Sequence, residues 1–194
     1  SGSSADPVNL STNITGATVD YSWTVSCDPG IVTCPSSGGT TNQIPSATMN
    51  LAPGTYIQQT ATYTITPTIG SCPGTPITYQ TNINPIPDVM ITPVSHQAIC
   101  SGDATNFAIT SHVASSGFQW NATGSPGIVP ASLINQTDNP VIRTFSNTGT
   151  STISAVSFSV TASAAGCSSN PFLYNIIVNP VPNTNVSQAS QTIC

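Results

Sequence analysis

Charge is almost missing from this sequence. Its 194 residues include no lysine and no glutamate, one basic residue (Arg143) and six aspartates. Charged residues make up 4% of the chain, whereas ordinary soluble domains carry about 25%. Without a basic patch the chain cannot neutralise a phosphate backbone or an anionic membrane surface, so we exclude nucleic acid as a partner.

Helix formers and long apolar runs are scarce as well. The chain lacks lysine, glutamate and extended alanine or leucine runs, which are the usual material of helices. No apolar run reaches the roughly 18 residues of a membrane span, so we expect no membrane insertion in this segment. The sequence is instead rich in Thr, Val and Ile set in alternation, which predicts almost pure β structure.

The residue types needed for catalysis are also few. Only His96 and His112 could act as bases near neutral pH, and neither has a nucleophile and carboxylate in register with it in both halves of the chain. Paired carboxylates, phosphate-binding loops and zinc spacings are missing. A calcium site needs several acidic ligands, and Asp88 at the joint has only Asp6 and Asp103 near it in the repeat pattern. We therefore expect no enzyme activity, no cofactor and no metal.

A repeated joint divides what remains. The phrase Asn84-Pro85-Ile86-Pro87-Asp88 returns as Asn179-Pro180-Val181-Pro182-Asn183, with Cys100 echoed by Cys194. We predict a first domain at 1–84 that lacks its own first strand, a second domain at 85–180, and the first strand of a following repeat at 181–194. The joint prolines Pro85, Pro87, Pro180 and Pro182 fix φ and should stiffen the connections.

Alternating runs predict about seven short strands in each repeat. In Thr18–Val25, for example, the apolar side chains share one face with Trp23, and Trp120 holds the matching place in the second half. Short strands with frequent turn signals are typical of immunoglobulin-like β-sandwiches. We interpret Trp23 and Trp120 as core residues; the alternative is a sugar-stacking platform.

Six cysteines without zinc spacing indicate disulfides and an oxidising, extracellular compartment. We predict a pair that closes a short loop (Cys27 and Cys34), a pair that staples the second domain (Cys100 and Cys167), and two residues that bond neighbouring repeats or copies (Cys72 and Cys194). The alternative for the last two is a pair of free thiols. We also predict that the C-terminal segment packs on the first domain of the next copy. Either the polypeptide continues into that copy, or one chain donates the strand to another.

Several phrases together resemble a known family: Tyr63–Thr68, Gly70–Pro76, Asn84–Asp88 and Ile99–Gly102. They are similar to the PKD-like repeats of very large Bacteroidota surface proteins, including gliding-motility adhesins exported by the type IX system. The resemblance implies tandem immunoglobulin-like sandwiches, a cell-surface location and a role in adhesion or motility. The Trp-Asp-Phe-Gly-Asp-Gly signature of classical PKD domains is replaced here by Trp23–Ser26 and Trp120–Thr123.

The leading hypothesis is a structural and adhesive repeat segment of a long bacterial surface or extracellular filament. Its partners would be neighbouring copies or repeats of itself, and surface glycans or abiotic surfaces. One alternative is a carbohydrate-binding or spacer module of a secreted polysaccharide-degrading enzyme, although most eligible aromatics, such as Tyr63, Tyr79, Phe158 and Tyr174, alternate into predicted core. The other is a short subunit of a self-assembling fibre joined by strand donation.

Overall fold

The computed structural model describes residues 4–94, 97–149, 151–184 and 190, and these residues form strands and no helix. No helix in this part of the chain is therefore available to cross a membrane. The chain divides into two compact units, Ser1–Ile86 and Pro87–Cys194. The predicted all-β class is confirmed, and each unit is described separately below.

Unit one is built on one four-stranded antiparallel sheet and two small strand pairs. The strands are β1 (Ser4–Ala5), β2 (Val8–Asn9), β3 (Asp20–Cys27), β4 (Gln43–Ile44), β5 (Ala47–Thr48), β6 (Gln59–Ile69), β7 (Cys72–Pro73) and β8 (Ile77–Ile83). The sheet runs β3–β6–β7, and β8 pairs with β6. The small pairs are β1 with β5 and β2 with β4.

Unit two repeats this plan and adds two strands at its start. The strands are β9 (Met90–Thr92), β10 (Ala98–Cys100), β11 (Ala108–Thr110), β12 (Gly117–Gly124), β13 (Ile128–Val129), β14 (Ser132–Gln136), β15 (Ser146–Asn147), β16 (Ser154–Ala164), β17 (Cys167–Ser168) and β18 (Phe172–Asn179). The main sheet runs β10–β18–β16–β12–β14, and β17 pairs with β16. The small pairs are β9 with β11 and β13 with β15.

Each unit encloses its own apolar core. The period-two alternation of β3 sends Tyr21 and Trp23 inward, and the same alternation in β12 buries Trp120. Trp23 is 7% exposed and Trp120 is fully buried, so both are core residues and neither is a sugar-stacking platform. Trp120 also donates its indole N–H to the Asp138 carbonyl at 3.1 Å, and the Arg143 guanidinium lies 5.4 Å from its ring centre.

The first strand of unit two is split between the two faces of the sandwich. Strand β9 pairs antiparallel with β11, whereas β10 pairs in parallel with the end of β18. The segment from Met90 to Cys100 therefore contributes to both layers. It places Ile91 in the core and packs Ile99 against it.

The disulfide predicted between Cys27 and Cys34 is present. Its loop holds the turn at Asp28, whose backbone N–H donates to the Thr60 carbonyl at 3.0 Å. In return, the Asp28 carboxylate accepts a hydrogen bond from the Thr60 N–H at 2.8 Å. These two hydrogen bonds fix the end of β3 against β6, next to the bridged loop.

The predicted bridge between Cys100 and Cys167 is wrong. Cys100 pairs with Asn179 on β18, and the neighbouring Val178 pairs with Ser154 at the start of β16. The thiol of Cys100 is exposed and free. Cys167 pairs with Ala164, at the other end of the 11-residue strand β16. At about 3.3 Å per residue this separates the two cysteines by roughly 30 Å, whereas a disulfide requires Cα atoms within about 7 Å.

The Cys27–Cys34 bridge should stabilise unit one. Replacing both residues in the double variant C27S/C34S is expected to lower the free energy of unfolding by about 2.5 kcal/mol, since the bridge restricts an eight-residue loop in the unfolded chain. Urea denaturation of the oxidised protein measures the change. The variant C72S removes an exposed free thiol from the same unit and serves as the control. Equal losses in the two variants would contradict a specific role for the bridge.

Candidate functional site

The candidate site is the repeat joint together with the strand that follows it. Asn84 accepts a hydrogen bond from the Gln58 side-chain amide at 2.7 Å, and Pro85 and Pro87 are both buried. No residue from Asn84 to Val89 belongs to a strand, so the joint itself takes no part in a sheet. The echo prolines, Pro180 and Pro182, follow β18 and are half-buried and exposed, respectively.

Asp88 anchors the start of unit two. Its Oδ1 accepts hydrogen bonds from the Ser111 hydroxyl and the His112 backbone N–H, both at 2.8 Å, and its Oδ2 lies 2.6 Å from His112 Nδ1. Partial burial alone would raise the pKa of this carboxyl, but the hydrogen bonds from His112 and Ser111 outweigh it and lower the pKa to about 2. The charged carboxylate therefore holds the joint against the 111–116 loop.

The segment after Asp88 closes the sandwich of unit two. Ile91 is 5% exposed, and the hydroxyl of the buried Tyr174 donates to the Pro93 carbonyl at 3.2 Å. Further on, the Ile177 N–H donates to the Gln97 carbonyl at 2.9 Å, at the edge of β18. The segment thus covers apolar side chains and also satisfies the outer edge of the last strand.

Unit one has the same last strand but no such cover among the described residues. Strand β8 pairs only with β6, and an apolar groove of about 420 Å³ lies along it. Tyr79 faces the core, with its ring centre 6.0 Å from that of Tyr63, yet it is 39% exposed, against 2% for its counterpart Tyr174. The prediction that Tyr79 is a core residue like Tyr174 is therefore wrong. The groove is lined among others by Val8, Leu10, Tyr21, Ile65, Ile77 and Tyr79.

The remaining predicted site residues lie apart from the groove or outside the description. Cys72 is an exposed free thiol beside the turn between β6 and β7. Cys194 falls outside the described residues, so its predicted bond to a neighbouring repeat or copy stays a prediction; His96, to which no role was assigned, falls outside them as well. Among the residues described, no three metal-ligating side chains come together.

Sequence reasoning found neither the groove nor the Asp88 cluster. The spacing of Asp88 and His112 gives no sign that they meet, because a 24-residue separation brings them together only through β9 and β11. The signal for the groove was available in principle. Tyr79 and Tyr174 occupy matching positions, and the segment that covers Tyr174, residues 87–100, has its sequence echo at 182–194.

The Asp88 cluster predicts an acid-dependent stability. Because its folded pKa is about 2, below the ordinary value of 3.8, the carboxylate stabilises unit two above pH 3.8 and loses this effect as the pH falls through about 2. The variant D88N should lower the free energy of unfolding near pH 6 by about 1 kcal/mol, after allowance for solvent screening of a partly exposed pair. Its difference from the parent should shrink toward pH 2.

Urea titrations of unit two's unfolding transition between pH 2 and 7 measure this effect. The variant D6N removes one negative charge from an exposed position in unit one and serves as the control. A D88N deficit that is equally large at both ends of the pH range would contradict the carboxylate's role.

The comparisons with known proteins agree with this architecture. Among curated proteins, no sequence matches the chain closely enough to count as a relative. The family model of the PKD-like domain matches twice in tandem, over residues 4–87 and 97–182. PKD-like immunoglobulin-like domains are generally non-catalytic, and with a disulfide they are typical of extracellular proteins. With two tandem matches over most of its length, the chain belongs to the PKD-like domain family.

Proposed function

We propose that this chain is a structural and adhesive segment of a long extracellular array on a bacterial surface, of the kind found in the gliding-motility adhesins of Bacteroidota. The observation that carries the proposal is the repetition of a whole unit together with its joint. Asn84–Asp88 leads into unit two, and Asn179–Asn183 follows it with the same proline pattern. An array of this kind grows by adding units without changing the connection between them.

The lack of surface charge supports an adhesive role that does not depend on ion pairing. The one basic residue, Arg143, is occupied in unit two by Asp138, at 2.6 Å, and by the ring of Trp120. The outward positions of β3 and β12 carry hydroxyl and amide side chains, such as Thr24 and Gln119. Such a surface contacts glycans or mineral surfaces through hydrogen bonds, which salt screens far less than charge attraction.

A carbohydrate-binding module is less well supported by the positions of the aromatic residues. Three aromatic side chains in the described parts of the chain are 36 to 42% exposed, namely Tyr56, Tyr79 and Phe172. They lie on different elements of two units and form no row along a single sheet face. Sugar-binding platforms rely on aromatic rings stacked against the ligand, so the adhesive repeat is the better-supported function.

Adhesion by the chain should be nearly independent of salt. We expect its attachment to glass or to immobilised glycans to change less than about twofold between 0.05 and 1 M NaCl. The Debye length falls to about 3 Å at the higher concentration, but hydrogen-bonded contacts contain no charge attraction for the salt to screen. Retained protein on coated beads, measured across the salt series, tests this. Detachment of most of the protein at moderate salt would contradict the proposal.

A charged variant provides the matched control. Four exposed residues on β3 and β12 can be replaced in T24K/S26K/Q119K/T123K, which adds positive charge without entering either core. This variant should attach to negatively charged glass more strongly at low salt and lose that gain at high salt. If parent and variant respond to salt alike, the attachment does not report on surface charge.

A further inference from the structure

We propose that the groove along β8 of unit one is a docking site for one strand, and that its occupant is the segment 182–194 of a second copy of this chain. This interaction goes beyond the proposed adhesive function and does not depend on it. Among the described residues, no strand pairs with the outer edge of β8 beside the groove. Side chains that face inward from β8, such as Tyr79, are exposed. Both features call for a strand.

Unit two shows what fills the corresponding place. There, residues 87–100 place Ile91 in the core, bring the Pro93 carbonyl to the hydroxyl of Tyr174, and pair β10 with β18. The segment 182–194 repeats this sequence, with Pro182 for Pro87, Val186 for Ile91, Ile193 for Ile99 and Cys194 for Cys100. It therefore carries apolar side chains at the positions that the groove requires.

The receiving surfaces of the two units correspond in detail. In unit two, the Ser111 hydroxyl accepts a hydrogen bond from the Val113 N–H at 3.2 Å. In unit one, the Thr12 hydroxyl accepts one from the Ile14 N–H at 3.4 Å. This shared turn aligns Asn13 with His112, the residue that binds Asp88.

Polar groups on the two sides of the contact change together. Unit two joins a carboxylate on the docked segment, Asp88, to an imidazole on the receiving turn, His112. In the proposed contact both are replaced by amides, Asn183 on the segment and Asn13 on the turn. Two amides can donate and accept hydrogen bonds to each other, so the exchange keeps the pairing without a charged group.

The edge of β8 also offers a specific backbone donor. Asn82 pairs with Thr60 as Ile177 pairs with Ala155, so these two residues hold the same place in their sheets. In unit two the Ile177 N–H donates to Gln97, on the segment that closes the sandwich. By the same register, the Asn82 N–H is the donor that a docked strand would use.

This docking needs no new disulfide. A strand in the register of β10 would bring Cys194 level with Asn84, as Cys100 is level with Asn179. Cys72 pairs with Ile69, at the opposite end of β6 from Gln59, the partner of Ile83. The two thiols would lie too far apart to bond within one docked unit.

Self-association of the full chain tests the proposal. The four cysteines outside the Cys27–Cys34 bridge are first replaced by serine, so that association cannot be covalent, and sedimentation velocity is recorded up to about 1 mM. We expect concentration-dependent association, and we expect a synthetic peptide of residues 182–193 to suppress it while shifting the NMR signals of Tyr79. A parent that stays monomeric throughout overturns the proposal.

Matched variants locate the contact. N82P removes the edge N–H and should weaken association at least about tenfold, whereas N82A removes the same side chain, keeps the N–H and should behave like the parent. On the segment, V186D should weaken association and S187D should not, since Ser187 takes the place of the exposed Thr92. Circular dichroism and thermal melting confirm that each variant is folded. Equal association of N82P and N82A overturns docking at this edge.

A charge pair tests the register. N13D/N183D sets two carboxylates against each other and should weaken association, while N13H/N183D recreates the pair seen in unit two and should retain it. Association of N13D/N183D at the parent's strength overturns the proposed register. None of these outcomes bears on adhesion to glass or glycans, so docking and the adhesive function succeed or fail separately.

Discussion

The structure of unit two depends on covering the last strand of its sandwich. In unit two β18 lies between β16 and β10, so both of its edges are hydrogen-bonded and its inner face is buried under Ile91. The segment that provides this cover comes directly after the joint. An open edge and an exposed apolar face are costly in water. The placement of a proline joint before the covering strand is therefore part of the fold of unit two as well as a connection between units.

The sequence predicted the all-β class and the core positions of the two tryptophans, because strand alternation is a local signal that can be read from a short run of residues. The cysteine pairing could not be read in the same way. Cys100 and Cys167 each lie beside a strand end, and sequence spacing does not say which end of the sandwich that is. The parallel pairing of β10 with β18 decides it, and nothing local in Ala98–Cys100 distinguishes a parallel partner from an antiparallel one.

Buried polar residues were also beyond sequence reasoning. Asn147 is 6% exposed, and its amide donates to the carbonyls of Thr152 and Val178 at 2.8 and 3.0 Å. Thr105 is fully buried and donates to the Val141 carbonyl at 3.2 Å. In a chain so rich in Asn and Thr, these two carry no distinguishing mark. Their importance comes from the backbone carbonyls they satisfy, which only the folded chain brings to them.

The parallel pairing of β10 with β18 has a mechanical consequence. The chain enters unit two beside Asp88 and leaves it at Asn179, so a pull on the two termini of the unit draws β10 and β18 past each other along their length. The bonds from Ile177 to Gln97 and from Ser101 to Asn179 then carry the load together and cannot open one after another. Strands loaded in shear resist force far better than strands peeled apart from one end. Tension across unit two would thus be borne where the covering strand lies.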